Sequence, residues 1–190
     1  MSAVTAPTAR PNGWWGMAVF VAAEATLFGT LLGTYLYLRF HNAHWPPPQV
    51  ARPTVLSPVL LTAALVLTSL PMQLSWRAGR ELRRPAAWKW LAVAFVLQLG
   101  YLVWQLHDYA LAVHHMHPQA SAYSSVYLTI LGADHLHVLA GVLLNGWLLI
   151  RISSRLTRYR LVGLQAATFY WHAVNTITAL ILLVQLSPYL

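Results

Sequence analysis

Five apolar stretches separated by short polar or proline-bearing segments organise the chain, at residues 14–38, 56–76, 88–107, 123–150 and 164–187. A helix rises 1.5 Å per residue and needs about 20 mostly apolar residues to cross the hydrocarbon of a bilayer. The pattern predicts an all-α polytopic membrane protein with five transmembrane helices in one bundle. Pro58, just after Ser57, reads as a helix start, and Pro71 predicts a kink in the second span. Trp14, Trp15, Trp45, Trp76, Trp88, Trp90, Trp147 and Tyr189 fall near the span ends, where amphipathic rings anchor at the interface. No internal repeat or second domain is visible. Residues 1–13 read as a tail, and 14–190 as one membrane domain.

Composition agrees: 58% of the 190 residues are hydrophobic and only 8% are charged, so lipid must cover much of the outside. The absence of cysteine excludes disulfides and thiolate metal sites. The first twelve residues, MSAVTAPTARPN, are too polar for a signal peptide, so translocation is expected to use an internal helix.

A net charge of +8 raises the question of nucleic acid, but its distribution answers against it. Arg10, Arg77, Arg80, Arg83, Arg84, Lys89, Arg151, Arg155, Arg158 and Arg160 belong to the tail and to segments 77–89 and 151–163; Arg39 and Arg52 alone lie on the other side. Ten of the twelve basic residues on one side predict a cytoplasmic N-terminus and an external C-terminus, in a multi-pass protein of the cell's inner membrane. Short basic segments hugging the bilayer fit lipid headgroups as partners, and no nucleic acid.

The chain has four acids, Glu24, Glu81, Asp108 and Asp134, and two of them, Glu24 and Asp134, fall deep within spans. An acid at mid-bilayer costs on the order of 3 kcal/mol on insertion scales, so it should face protein and have a partner or a proton. In span four Asp134, His137, Gly141 and Asn145 share one helical face, with His135 turned away by roughly a hundred degrees. Gln165, Thr168, His172, Asn175 and Ala179 form a similar stripe in span five, as do Gln98, Tyr101, Gln105 and Asp108 in span three. In span one Ala25, Gly29 and Gly33 repeat every fourth residue, which permits close helix contact. All four faces are expected to point into the bundle. Glu24 lies about ten residues, roughly 15 Å, above the cytoplasmic end and His137 about thirteen, roughly 20 Å, so the two are expected to pair.

Several chemistries compete for these residues. Zinc wants three or four ligands, and Asp134 with His137 supplies two at most. Two buried acids are too few for a di-iron carboxylate site. His137 and His172 could in principle clamp a haem, but polar packing between helices is the default reading for them and for Asn175. Glu24 is open between a proton or lipid role and plain packing. His107, His114, His115 and His117, after span three, could take copper or zinc, but read as a solvated or interfacial loop.

With these residues in view, the chain resembles subunit III of the haem-copper oxidases, most closely cytochrome c oxidase subunit III. "WGMAVFVAAEATLFGTLLGTYLYLR" resembles that family's Gly-Met-x-x-Phe-x-x-Ser-Glu helix, with Glu24 on its glutamate and Ala23 on its usual serine. "WPPP" resembles the loop that follows. "QLHDYA" is similar to Gln-x-x-Glu-Tyr, with Asp108 in place of the glutamate. "AYSSVYLTILGADHLHVLAGVLL" is similar to the family's Gly-Phe-His-Gly-x-His-Val helix, with His137 on its second histidine, and "GLQAATFYWHAVNTITALI" to its closing Tyr-Trp-His-Phe-Val-Asp helix. Asp134 stands on the first histidine, His135 on a glycine, Asn175 on the aspartate and Gln165 on a glutamate. Many relatives have seven helices, and the first two have no counterpart here.

The resemblance implies an accessory subunit without a catalytic centre of its own, within an oxygen-reducing proton pump. It implies subunits I and II as partners, haem and copper in those subunits and none in this chain, bound phospholipid, and support of proton uptake and turnover stability. Glu24, Asp134, His137, His172 and Asn175 are the buried polar residues it associates with protons or lipid. A quinol-oxidase or nitric-oxide-reductase partner, an independent haem-binding membrane cytochrome and a proton-coupled transporter are the alternatives. The last lacks the repeat symmetry of such carriers.

Overall fold

The computed structural model describes residues 11–47 and 55–187. Arg10, Arg52, Pro48 and Tyr189, and most of the tail, lie outside the described residues. Six helices follow in order: α1 Asn12–His41, α2 Leu56–Leu67, α3 Ser69–Arg80, α4 Arg84–His115, α5 Ala122–Ser154 and α6 Arg158–Leu186, with a 3₁₀ turn at Pro118–Ala120. Helices α2 and α3 form one span, Leu56–Arg80, so five spans among the described residues are long and apolar enough to cross a membrane. No strand occurs among those residues.

The helices run further than the apolar stretches. The expected third span ended at residue 107, but α4 continues to His115 and carries His107 and His114 as exposed residues of its last turns. Backbone hydrogen bonding does not stop where hydropathy does, and polar side chains extend a helix into the headgroup zone. The basic segments are therefore mostly helix ends, joined by links at 81–83 and 155–157. Two helix starts carry their own caps: Ser121 accepts from Ser124 N at 3.1 Å, and Thr157 from Arg160 N at 3.3 Å.

The interruption expected at Pro71 falls three residues earlier, at Thr68. Pro71 has no N–H for the carbonyl one turn back, so the ladder opens in the preceding turn. Thr68 sits at the break. Its Oγ1 donates to Leu65 O at 2.5 Å and accepts from Trp171 Nε1 at 2.7 Å.

Helix α6 is central, touching α1, α2, α3 and α5, while α4 packs on α2, α3 and α5. Trp171 is fully buried on α6. It can lie flat against α5 because Gly141 has no side chain: a Cβ there would meet the indole ring at 2.7 Å. Phe28, Tyr35, Tyr123, Ile130 and Ile181 form a second cluster that ties α1 to α5 and α6.

One face is corrected. Helix α1 turns Met17, Val21, Phe28, Leu31 and Tyr35 toward the bundle, while Ala25, Gly29 and Gly33 are exposed. Nothing lies within 4 Å of a Cβ built at Gly29 or Gly33. The large side chains bury more apolar area, so they take the inner face and the small row is left outside. Only 6% of the α1 span is buried, against 28–44% of the others. Helix α1 is thus a flank of the bundle.

Candidate functional site: a buried acid–histidine layer

Glu24 sits on the inner face of α1, where its Oε2 lies 2.7 Å from His137 Nε2 on α5. The other ring nitrogen, His137 Nδ1, is 2.7 Å from Ala133 O, one turn back on the same helix. A carbonyl can only accept, so Nδ1 carries a hydrogen. One proton then remains for the contact between Nε2 and the carboxyl. It resides on Glu24 with a neutral imidazole, or on His137 opposite a carboxylate. Either way the bond survives, and the pair holds a single transferable proton. The Phe28 ring packs edge-on against the imidazole at 5.0 Å between centroids, and Tyr170 donates to His137 O at 2.9 Å. The side chains stay 15% and 20% exposed at the flank of the chain, so the pair is shielded without being sealed.

One turn earlier, Asp134 addresses α4 and α6 where His137 addresses α1. Its carboxylate accepts from Gln105 Nε2 of α4 at 2.9 Å and from Thr178 Oγ1 of α6 at 2.6 Å. Asp134 and His137 were expected on one polar face, but the 60° between i and i+3 is enough to give them different neighbours. Asn145 continues the Asp134 side, donating to Gln98 Oε1 at 2.8 Å.

His135 is the residue that sequence reasoning turned away and the structure brings in. Its Nδ1 bonds Leu131 O and its Nε2 bonds Gln105 O at 3.0 Å, with the Tyr109 ring 5.0 Å away. Both partners are backbone carbonyls, so His135 ties α5 to the backbone of α4 at Gln105. The signal in the sequence was the adjacent acid; its value depended on α4 passing close enough to lend a carbonyl.

His172 and Asn175 form a third group against α3. His172 contacts Ser69 Oγ at 3.1 Å and Gln73 Oε1 at 3.2 Å, and Asn175 Nδ2 donates to Ser69 Oγ at 2.6 Å and Leu65 O at 3.2 Å. Leu65 O and Ser69 flank the helix break, so Asn175 fastens α6 to the opened turn. His137 and His172 therefore address different helices, α1 and α3, with all four ring nitrogens bonded to protein. That geometry does not present two axial nitrogens to one haem. Among the described residues no three histidines or acids gather as a metal-binding group.

The match to known proteins follows the same helices. The family model for cytochrome c oxidase subunit III covers residues 7–189.

The chain belongs to that family.

Among curated proteins it is similar to a probable quinol oxidase subunit 3 of Staphylococcus haemolyticus (strain JCSC1435), 29% identical over 171 residues that make up 87% of this chain and 82% of the relative. A probable quinol oxidase subunit 3 of Staphylococcus aureus (strain USA300) is 27% identical over 168 residues, with the same coverage of both chains. Membership of the subunit III family places the chain, a multi-pass membrane protein, in a haem-copper oxidase complex with other oxidase subunits.

Proposed function

We propose that this chain is the accessory, non-redox subunit of an oxygen-reducing haem-copper oxidase, and that Glu24–His137 is its proton-linked element. The observation that carries the reading is the 2.7 Å contact of Glu24 with His137, on residues that stand at the motif glutamate and histidine of the resemblance. A carboxyl that can pass its proton across a 2.7 Å contact without losing its partner can hold a proton near the catalytic subunit while the surrounding lipid excludes bulk water. Asp134, His172 and Asn175 hold the helices around it.

Haem and copper then reside in subunits I and II, which this chain contacts from the membrane, and phospholipid lies along its exposed apolar surface. The ten-to-two distribution of basic residues supports a cytoplasmic N-terminus and an external C-terminus. At the basic end Arg84 bonds Ser153 O, and Arg151 stacks over Trp147 at 5.4 Å, as expected of a surface facing anionic headgroups.

The names of the relatives favour quinol as the electron donor; the description of the family model favours cytochrome c. A purified complex decides between them. Oxygen consumption is expected with a reduced short-chain quinol and not with reduced cytochrome c. Turnover with cytochrome c alone would replace the quinol reading and leave the accessory role standing.

A further inference from the structure

The helices around α6 leave one side of it open. Helix α1 packs on α5 and α6, but among the described residues it is not packed against α2 or α3. Through the gap between α1 and α3 the central helix shows one strip at helical spacing: Gln165, Phe169, His172, Thr176, Leu180 and Leu183. Phe169 meets Trp14 of α1 at one edge of the strip, and His172 meets α3 at the other. Leu180 is 48% exposed and Leu183 58%, whereas the other faces of α6 bury Trp171 and Ile181 almost completely.

The gap also holds unspent polar groups. Asn175 Nδ2 donates to Ser69 Oγ, whose hydroxyl can donate to His172 Nδ1, and His172 Nε2 can donate to Gln73 Oε1. That chain ends on a carboxamide whose Nε2 has no hydrogen bond among the described residues. Gln165 makes none at all among them, and both glutamines are half-buried. The span Leu56–Arg80 has 25 residues, roughly 37 Å at the helical rise, against about 30 Å of hydrocarbon. Gln73, about 10 Å from Arg80, is therefore several ångström inside the hydrocarbon, and Gln165 is as far from Arg158 on α6.

Lipid tails offer these amides no partner, and an unmet amide in an apolar medium is costly. A second membrane protein can meet them. Protein crosses hydrocarbon as a helix or a closed barrel, and only a helix fits between two helices. Ser, Thr, Asn or Gln on such a helix can hydrogen-bond across the contact. We infer that the gap between α1 and α3 seats one transmembrane helix of a partner subunit, with a hydroxyl or carboxamide side chain against Gln73 and Gln165. That helix closes the ring around α6, and its apolar side chains cover Leu180 and Leu183. The inference rests on the reading of this chain as one subunit of a larger oxidase, and is independent of the electron donor.

Two measurements on the intact complex test it. A photo-reactive benzophenone side chain in place of Leu180 is expected to cross-link this chain to a larger subunit several-fold more than one in place of Val96. Val96 is exposed on α4, which is not packed on α6. Adducts of the Leu180 probe with phospholipid alone, or equal cross-linking to protein from both positions, would overturn the seat. Gln165→Leu breaks no hydrogen bond within the described residues. Its retention on the complex, per chain present in the membrane, is expected to fall roughly three- to tenfold on detergent washing, the range for one interhelical hydrogen bond. Retention equal to that of the unmodified chain would overturn the polar match. A tagged chain that brings down no larger subunit would contradict the subunit reading instead.

Discussion

Replacing Glu24 by glutamine is expected to leave the complex assembled and to slow oxygen turnover several-fold at high pH, with near-normal turnover at low pH. Assembly survives because His137 Nδ1 is committed to Ala133 O, leaving Nε2 as an acceptor that the new amide can donate to. The shape and the hydrogen bond are kept, and only the transferable proton is lost. An amide cannot release that proton, so the defect grows where bulk protons are scarce. Glu24→Leu is a different case: it leaves a partly buried imidazole nitrogen unpaired, at about 1–3 kcal/mol, so subunit loss is expected as well. Oxygen-electrode rates between acid and alkaline pH, with subunit content checked on a gel, separate the two variants. A Glu24→Gln rate that matches the unmodified complex at every pH would reduce the pair to packing.

Gly141→Ala is expected to destabilise the bundle by about 1–3 kcal/mol, the usual range for overpacking a filled core. The new methyl would sit 2.7 Å from two atoms of the Trp171 ring and 3.3 Å from Tyr170. The ring has no room to yield, since it is fully buried and its Nε1 is held by Thr68 at 2.7 Å. Pushing it away would also disturb the turn between α2 and α3, so the damage spreads to a third element. Gly29→Ala and Gly33→Ala are the matched controls. Each adds a methyl where the chain has nothing within 4 Å, so the stability of the solubilised subunit should hold or rise slightly. Thermal unfolding in detergent, followed by tryptophan fluorescence, compares all three. Equal melting of Gly141→Ala and Gly29→Ala would mean that α5 and α6 are not in this contact.

How legible these features were in the sequence depended on the kind of signal. The stripe of Gln98, Tyr101 and Gln105 could be read because polar residues at helical spacing in an apolar span have one low-energy direction, toward protein. The pairing of Glu24 with His137 followed from depth alone, since both are anchored to the same membrane plane. The row of Ala25, Gly29 and Gly33 was not decidable in the same way. Small residues permit a close contact but do not drive one, and the choice fell to Phe28 and Tyr35, whose burial needed tertiary information. His135 was missed because its partners are backbone carbonyls, which leave no trace in residue identity. The break at Thr68 was displaced from Pro71 for the same reason, as the missing hydrogen bond belongs to the preceding turn.

The account stands on this chain being the colourless member of a larger redox assembly. The most direct measurement is a visible spectrum and subunit analysis of material purified from native membranes by an affinity tag on this chain, followed by separation of the subunits. The expected result is a reduced-minus-oxidised haem spectrum that tracks a larger co-purifying subunit, with oxygen consumption in the intact material and no haem or copper on the separated chain. A chain that purifies without a haem-bearing partner, or that retains stoichiometric haem after separation, would contradict it.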